Sequence, residues 1–184
     1  MKRRLVETLE VQIVLADNNA GFVTENMCAE WGSVTYPELS VMLVHLRHLA
    51  LLHQTHHWTA KGDPFYGDHL LFERLYNSVT PEIDSVAEKA IGLGTTANVD
   101  VALQTMQLNK LVQNYGMSQM IPTESDLARR SLMAEYNFLA VVAKLVELMK
   151  ESGTLTRGLD NLIAGIEDQH EGNCYLLKQR CSLG

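Results

Sequence analysis

The chain has 184 residues, 46% of them hydrophobic and only four of them proline, which suits one ordinary domain with a sizeable core and excludes wholesale disorder. Its formal charge is −7 and its isoelectric point is near 5.4. Basic residues gather at Lys2-Arg3-Arg4 and sparsely at Lys178 and Arg180, a weak electrostatic footprint on an acidic body, so DNA binding is expected to be weak or absent.

Residues 1–34 form an N-terminal segment of unassigned structure. Val11–Leu15 reads as a short strand or helix, and Asp17-Asn18-Asn19-Ala20-Gly21 reads as a turn. Glu7 and Glu10 interrupt the apolar stretch a signal peptide needs. No run of about twenty apolar residues is present to cross a membrane. The three cysteines, Cys28, Cys174 and Cys181, form no paired framework. On a shared helix Cys174 and Cys181 stand about 10 Å apart along the axis, beyond disulfide reach. Reduced thiols and a cytoplasmic location are the expectation.

From residue 35 to 184 the pattern is that of one helical domain. Thr35-Tyr36-Pro37-Glu38 has the form of a capping box, with Thr35 as N-cap. Leu39, Met42, Leu43, Leu46, Leu49 and Ala50 follow at helical spacing, giving a helix to about Ala60. Gly62-Asp63-Pro64 breaks it. A second helix runs from about Tyr66 to Ile91, with Leu70, Leu71, Leu75, Ile83, Val86, Ala87 and Ala90 inward, and Gly92-Leu93-Gly94 stops it. A shorter helix over about Val99–Val112 lies in the next connection. Thr123-Glu124-Ser125-Asp126 opens a third long helix ending near Glu151 and Gly153, and a fourth covers about Leu159–Arg180. The expected fold is all-α, a four-helix bundle with a short extra helix in the second connection. The first two long helices, and the last two, have short links and should be antiparallel neighbours.

Four of seven histidines fall in HQTHHWTAKGDPFYGDH, from His53 to His69. His53 and His57 are four apart, which puts two imidazoles on one helical face. On the second helix His69 and Glu73 form one such pair and Asp84 and Glu88 another, fifteen residues on. Fifteen residues return to nearly the same face but span roughly 22 Å. One metal centre cannot use both pairs from one chain. A two-fold dimer with these helices antiparallel would bring His69 and Glu73 of one chain to Asp84 and Glu88 of the other. His57, just before the turn, could join His69. Two histidines and three carboxylates without thiolate suit iron, manganese or zinc better than copper(I). The same residues could instead be surface salt-bridge formers on a helix.

His57-Trp58, Gly62, Phe65, His69, Glu73, Ile83-Asp84, Ala87-Glu88-Lys89 and Leu93-Gly94 together resemble the Dps family, the mini-ferritins (DNA-binding proteins from starved cells), within the ferritin-like superfamily. The resemblance is strong over residues 53–94 and weaker over the helical layout from about 35 to 180. It implies a twelve-subunit cage of ferritin-like four-helix-bundle subunits, with di-iron ferroxidase centres at two-fold interfaces. His57, His69 and Glu73 would come from one subunit and Asp84 and Glu88 from its partner, Glu88 bridging. Fe(II) would be oxidised, by hydrogen peroxide or oxygen, and stored as ferric mineral, protecting against oxidative damage. Zn or Mn could substitute for iron. Trp58 would intercept stray oxidants, or would simply pack at the interface. A cage of the same fold that binds metal without useful ferroxidase activity is the alternative.

Two features depart from this pattern. Pro81 sits inside the second helix at a cost of about 3 kcal/mol in an ideal helix, and should either kink it or restart it with Thr80 as N-cap. Glu167-Asp168-Gln169-His170 contains Glu-x-x-His, but no second copy exists to complete an intra-bundle di-iron set. His170 is therefore expected on the surface or lining the cage.

Overall fold

The computed structural model describes residues 23–114 and 124–182. Helix α1 covers residues 23–30, followed by α2 (Pro37–Thr59), α3 (Phe65–Leu93), a 3₁₀ turn (Thr96–Val99), α4 (Val101–Asn114), α5 (Glu124–Glu151) and α6 (Arg157–Ser182). No strand occurs among the described residues. The protein is all-α there. The four long expected helices are α2, α3, α5 and α6, and the extra one is α4. Helix α2 lies against α3 and α5, and α6 lies against α5 and α3, so the four long helices close a ring around shared interior side chains.

Apolar side chains at helical spacing make that ring. Met42, Leu46 and Leu49 of α2 meet Val86 and Ala90 of α3, Val142 and Leu145 of α5 and Ile163 of α6 in the larger cluster. Phe72 and Leu75, with Leu127, Leu132 and Leu177, form a smaller one. Each fully buried side chain of this size contributes about 1.5–3 kcal/mol by leaving water. His53 on α2 and His170 on α6 fall between the two clusters along their helices.

Part of the N-terminal segment joins this core. Met27 and Trp31 are buried. Trp31 Nε1 donates to Gln107 Oε1 at 3.0 Å, and Gln107 Nε2 donates to the Met27 carbonyl at 2.8 Å. Val11–Leu15, Asp17–Gly21, Lys2-Arg3-Arg4 and Thr123 lie outside the described residues.

Three local expectations are corrected. Thr35 does not cap α2: the N-cap is Tyr36, in the left-handed region at φ 59°, with no side-chain cap and Pro37 next. The Thr35 carbonyl instead accepts from Asn98 Nδ2 at 2.6 Å, and Asn98 also reaches the Tyr36 carbonyl and Ser40. This buried amide ties the start of α2 to the 3₁₀ turn that follows α3. Gly94 makes room for it, since a Cβ there would stand 2.4 Å from Asn98 Oδ1 and 2.8 Å from the Ala90 carbonyl. Leu70 is not inward but 44% exposed, two residues before Phe72 and so on the opposite side of the helix from the buried stripe. Helix α3 neither ends nor restarts at Pro81. Thr80 Oγ1 bonds back to the Tyr76 carbonyl rather than capping. Pro81 and Asn77 are exposed, so water can satisfy the carbonyl that loses its helical partner.

Candidate metal-binding histidine pair

The turn between α2 and α3 is built to fix its two flanking histidines. The Ala60 N–H donates to the His56 carbonyl at 2.9 Å, closing α2. Gly62 takes φ 79°, which favours glycine, and Phe65 and Asp68 then start α3 through bonds to the Gly62 and Pro64 carbonyls. Asp68, buried in the first turn of α3, accepts from Arg180 Nε at 2.5 Å and from Nη2 at 3.0 Å. A carboxylate in that position also complements the positive helix end.

Across this turn His57 and His69 stack, ring centroids 3.7 Å apart and planes inclined by 25°. His57 Nδ1 donates to the His69 carbonyl at 2.9 Å and His69 Nδ1 donates to the His57 carbonyl at 3.1 Å. A carbonyl oxygen only accepts, so each Nδ1 carries a hydrogen and each neutral ring keeps its lone pair on Nε2. This is the tautomer and the type of backbone contact that orient a metal-ligating histidine. Tyr76 lies edge-on to His57 at 5.4 Å, and Phe65 lies 5.2 Å from His69.

The other expected site residues are placed as follows. Glu73, one turn beyond His69 on α3, is half-buried, and Asp84 and Glu88 further along α3 are exposed. Trp58 is 69% exposed next to His57. Within one chain only His57 and His69 are brought together, and no three His, Cys, Asp or Glu side chains among the described residues converge as a metal shell. His53 and His57, four apart on α2, do not share a partner: His53 is buried and bonded to Ser131 and Glu135, whereas His57 meets His69.

His53 belongs to a buried chain of polar side chains that the sequence reading missed. Ser131 Oγ lies 2.8 Å from His56 Nδ1 and 3.1 Å from His53 Nδ1. His53 Nε2 donates to Glu135 Oε1 at 2.9 Å. The other oxygen of Glu135 accepts from His170 Nδ1, and His170 Nε2 donates to Glu82 Oε2 at 3.0 Å. Asn173 Nδ2 adds a longer bond to Glu135 at 3.3 Å. His170 is fully buried rather than on the surface, a correction to the expectation. Facing a carboxylate with each nitrogen, it is an imidazolium. Burial alone would lower its pKa, but the bonds to Glu135 and Glu82 raise it to about 9. Burial would raise Glu135, but its bonds from His170 and His53 bring it to about 2. The usable signal was polar residues in core register: His53 four after Leu49, Ser131 four after Leu127, and His170 four after Ile166.

No family model matches the chain. General stress protein 20U of Bacillus subtilis is 27% identical over 128 residues, which cover 67% of this chain and 80% of that protein. An uncharacterized protein of Haemophilus influenzae is 30% identical over 64 residues, 35% of this chain and 39% of that protein. The chain is thus similar to a stress protein and is all-helical over its described residues. No helix among those residues is long and apolar enough to cross a membrane.

Proposed function

We propose that the protein is a Dps-like mini-ferritin, a ferritin-like four-helix-bundle subunit of a homo-oligomeric cage, a dodecamer, that oxidises Fe(II) and stores the ferric product. The observation that carries this reading is the mutual clasp of His57 and His69, which holds both rings in place and leaves the lone pair of each on Nε2. Supporting it are the ligand spacing along α3, the short helix α4 in the second connection, and the similarity to a general stress protein. The stress role suits a protein that removes Fe(II) and peroxide together.

On this reading His57, His69 and Glu73 face Asp84 and Glu88 of the partner subunit across a two-fold axis. Three carboxylates offset most of the charge of two Fe(II) ions, which are substrate, and Zn or Mn can occupy the same positions. Two Fe(II) give one electron each to one hydrogen peroxide, which takes two protons and leaves as two waters. Paired delivery avoids the hydroxyl radical that a single iron would release. Oxygen is the second candidate oxidant. On this reading Trp58, next to His57 in sequence, either donates an electron to a stray oxidant or packs at the subunit interface.

The test is Fe(II) with hydrogen peroxide under argon, followed by the absorbance of the ferric core, alongside native mass spectrometry. A twelve-chain species that gains ferric absorbance supports the reading. A dodecamer that takes up no iron favours a metal-binding shell without ferroxidase activity, and a monomer removes the shared site altogether.

A further inference from the structure

Around Glu135 the four long helices converge, with His53 from α2, Glu82 from α3, Glu135 itself from α5 and His170 from α6. The side chains of His53, Glu135 and His170 have no exposed surface, and that of Glu82 is 12% exposed. Helical bundles build metal sites in this way, from side chains on facing helices.

Spacing and charge both fit a cation. His53 Nε2 lies 2.9 Å from Glu135 Oε1, and His170 Nε2 lies 3.0 Å from Glu82 Oε2. Neighbouring ligands on one ion with bonds of about 2.0–2.2 Å stand roughly 2.8–3.6 Å apart, from octahedral to tetrahedral angles. Here protons occupy the places between them. Two carboxylates and two neutral imidazoles around one dication sum to zero charge, so a divalent ion can take over the balancing now done by the imidazolium of His170. A nitrogen and oxygen donor set without thiolate selects zinc, iron(II), cobalt(II) or manganese(II) over copper(I). In the protonated arrangement the donors do not close on one point, because His170 gives one nitrogen to each carboxylate. An entering ion must take one of those contacts, and His170 then loses at least one proton.

We propose that this interior binds one divalent transition-metal ion per chain through His53, Glu135 and His170, entering past Glu82, in exchange for protons. The site is distinct from the His57–His69 pair and does not rest on the iron-oxidation reading. Glu167 takes no part in the chain of bonds, so the Glu-x-x-His spacing is incidental to it.

The probe is Co(II), titrated anaerobically into the full-length His57→Ala/His69→Ala chain in weak buffer with a pH indicator. One Co(II) per chain by native mass spectrometry, visible d–d bands and at least one proton released per ion are expected. Adding Glu135→Gln should weaken binding at least tenfold, with folding checked by circular dichroism. Glu82→Gln, nearer the surface, should weaken it as well and decides the matter if the Glu135 variant does not fold. No bound Co(II) in the His57→Ala/His69→Ala chain overturns the proposal. So does an ion retained at full affinity by the folded Glu135→Gln or Glu82→Gln chain, or one bound without proton release; the chain of bonds is then a buried ion-pair network only.

Discussion

His57 and His69 each hold the other's ring through the backbone, Nδ1 of one to the carbonyl of the other at 2.9 and 3.1 Å. Neither ring can turn without releasing its partner's main chain, so the two free nitrogens are fixed as a unit by the α2–α3 turn. The orientation of both rings is thereby made a property of the fold.

Removing one ring should therefore cost function and little stability, because both are only half-buried. His69→Ala is expected to slow peroxide-dependent Fe(II) oxidation by at least about tenfold, with helicity unchanged. Stopped-flow absorbance and circular dichroism check this. A rate within twofold of the wild type would take His69 out of the site.

The proposed sharing of the site between subunits makes a quantitative prediction. Chains carrying His57→Ala/His69→Ala and chains carrying Asp84→Asn/Glu88→Gln should each be inactive alone. Unfolded together and reassembled in equal amounts, half of the two-fold pairs are mixed, and each mixed pair has one intact centre of two. About a quarter of wild-type activity should return. No recovery in a properly assembled mixture points to a site within one chain.

Stability should peak near pH 6.5 and fall in both directions. Burial, with the neighbouring histidine charge, lowers His45 to about 3 and His48 to about 4 from an ordinary 6.5. The unfolded chain binds those protons first, so stability drops as pH falls below about 6.5. Glu135, lowered to about 2 from an ordinary 4.5, adds to the loss below that value. His170 has the opposite sign: its contribution is complete below 6.5 and disappears as pH rises through about 9. Urea midpoints across pH 4 to 10 read this directly, and His170→Gln should flatten the alkaline limb. A wild-type midpoint constant from pH 6.5 to 9 contradicts the assignment of His170 as a buried imidazolium.

Gly94→Ala is expected to destabilise by about 1–3 kcal/mol, since the new methyl meets two backbone carbonyls and the Asn98 side chain with no free space. Thermal unfolding measures it. An unchanged midpoint would mean that the Thr35–Asn98 contact shifts at no cost.

Much of the helical layout was legible because apolar spacing and glycine stops act locally. Leu39 to Leu49 and Gly92-Leu93-Gly94 needed no tertiary information. The start of α2 was misread because Thr35 has the chemistry of a cap, yet its carbonyl is taken by Asn98, a residue 63 positions away. The inward turn of His53 and the burial of His170 were hidden for the same reason. A histidine carries no local mark of whether a carboxylate on another helix will meet it. The proximity of His57 and His69 was accessible, because only a short turn separates them; their mutual backbone bonds were not, because spacing says nothing of tautomer.

Arg180 grips Asp68 across 112 positions of sequence. The order in which a ribosome releases the chain gives that bond a meaning in time. Helices α2 and α3 can form and pair early, but the first turn of α3 gains its anchoring cation only after nearly all of α6 has emerged. Until then the buried Asp68 lacks its countercharge, and the turn carrying both histidines is at its loosest. The turn that orients His57 and His69 is therefore completed only when α6 packs against it, with the rest of the helical ring already in place.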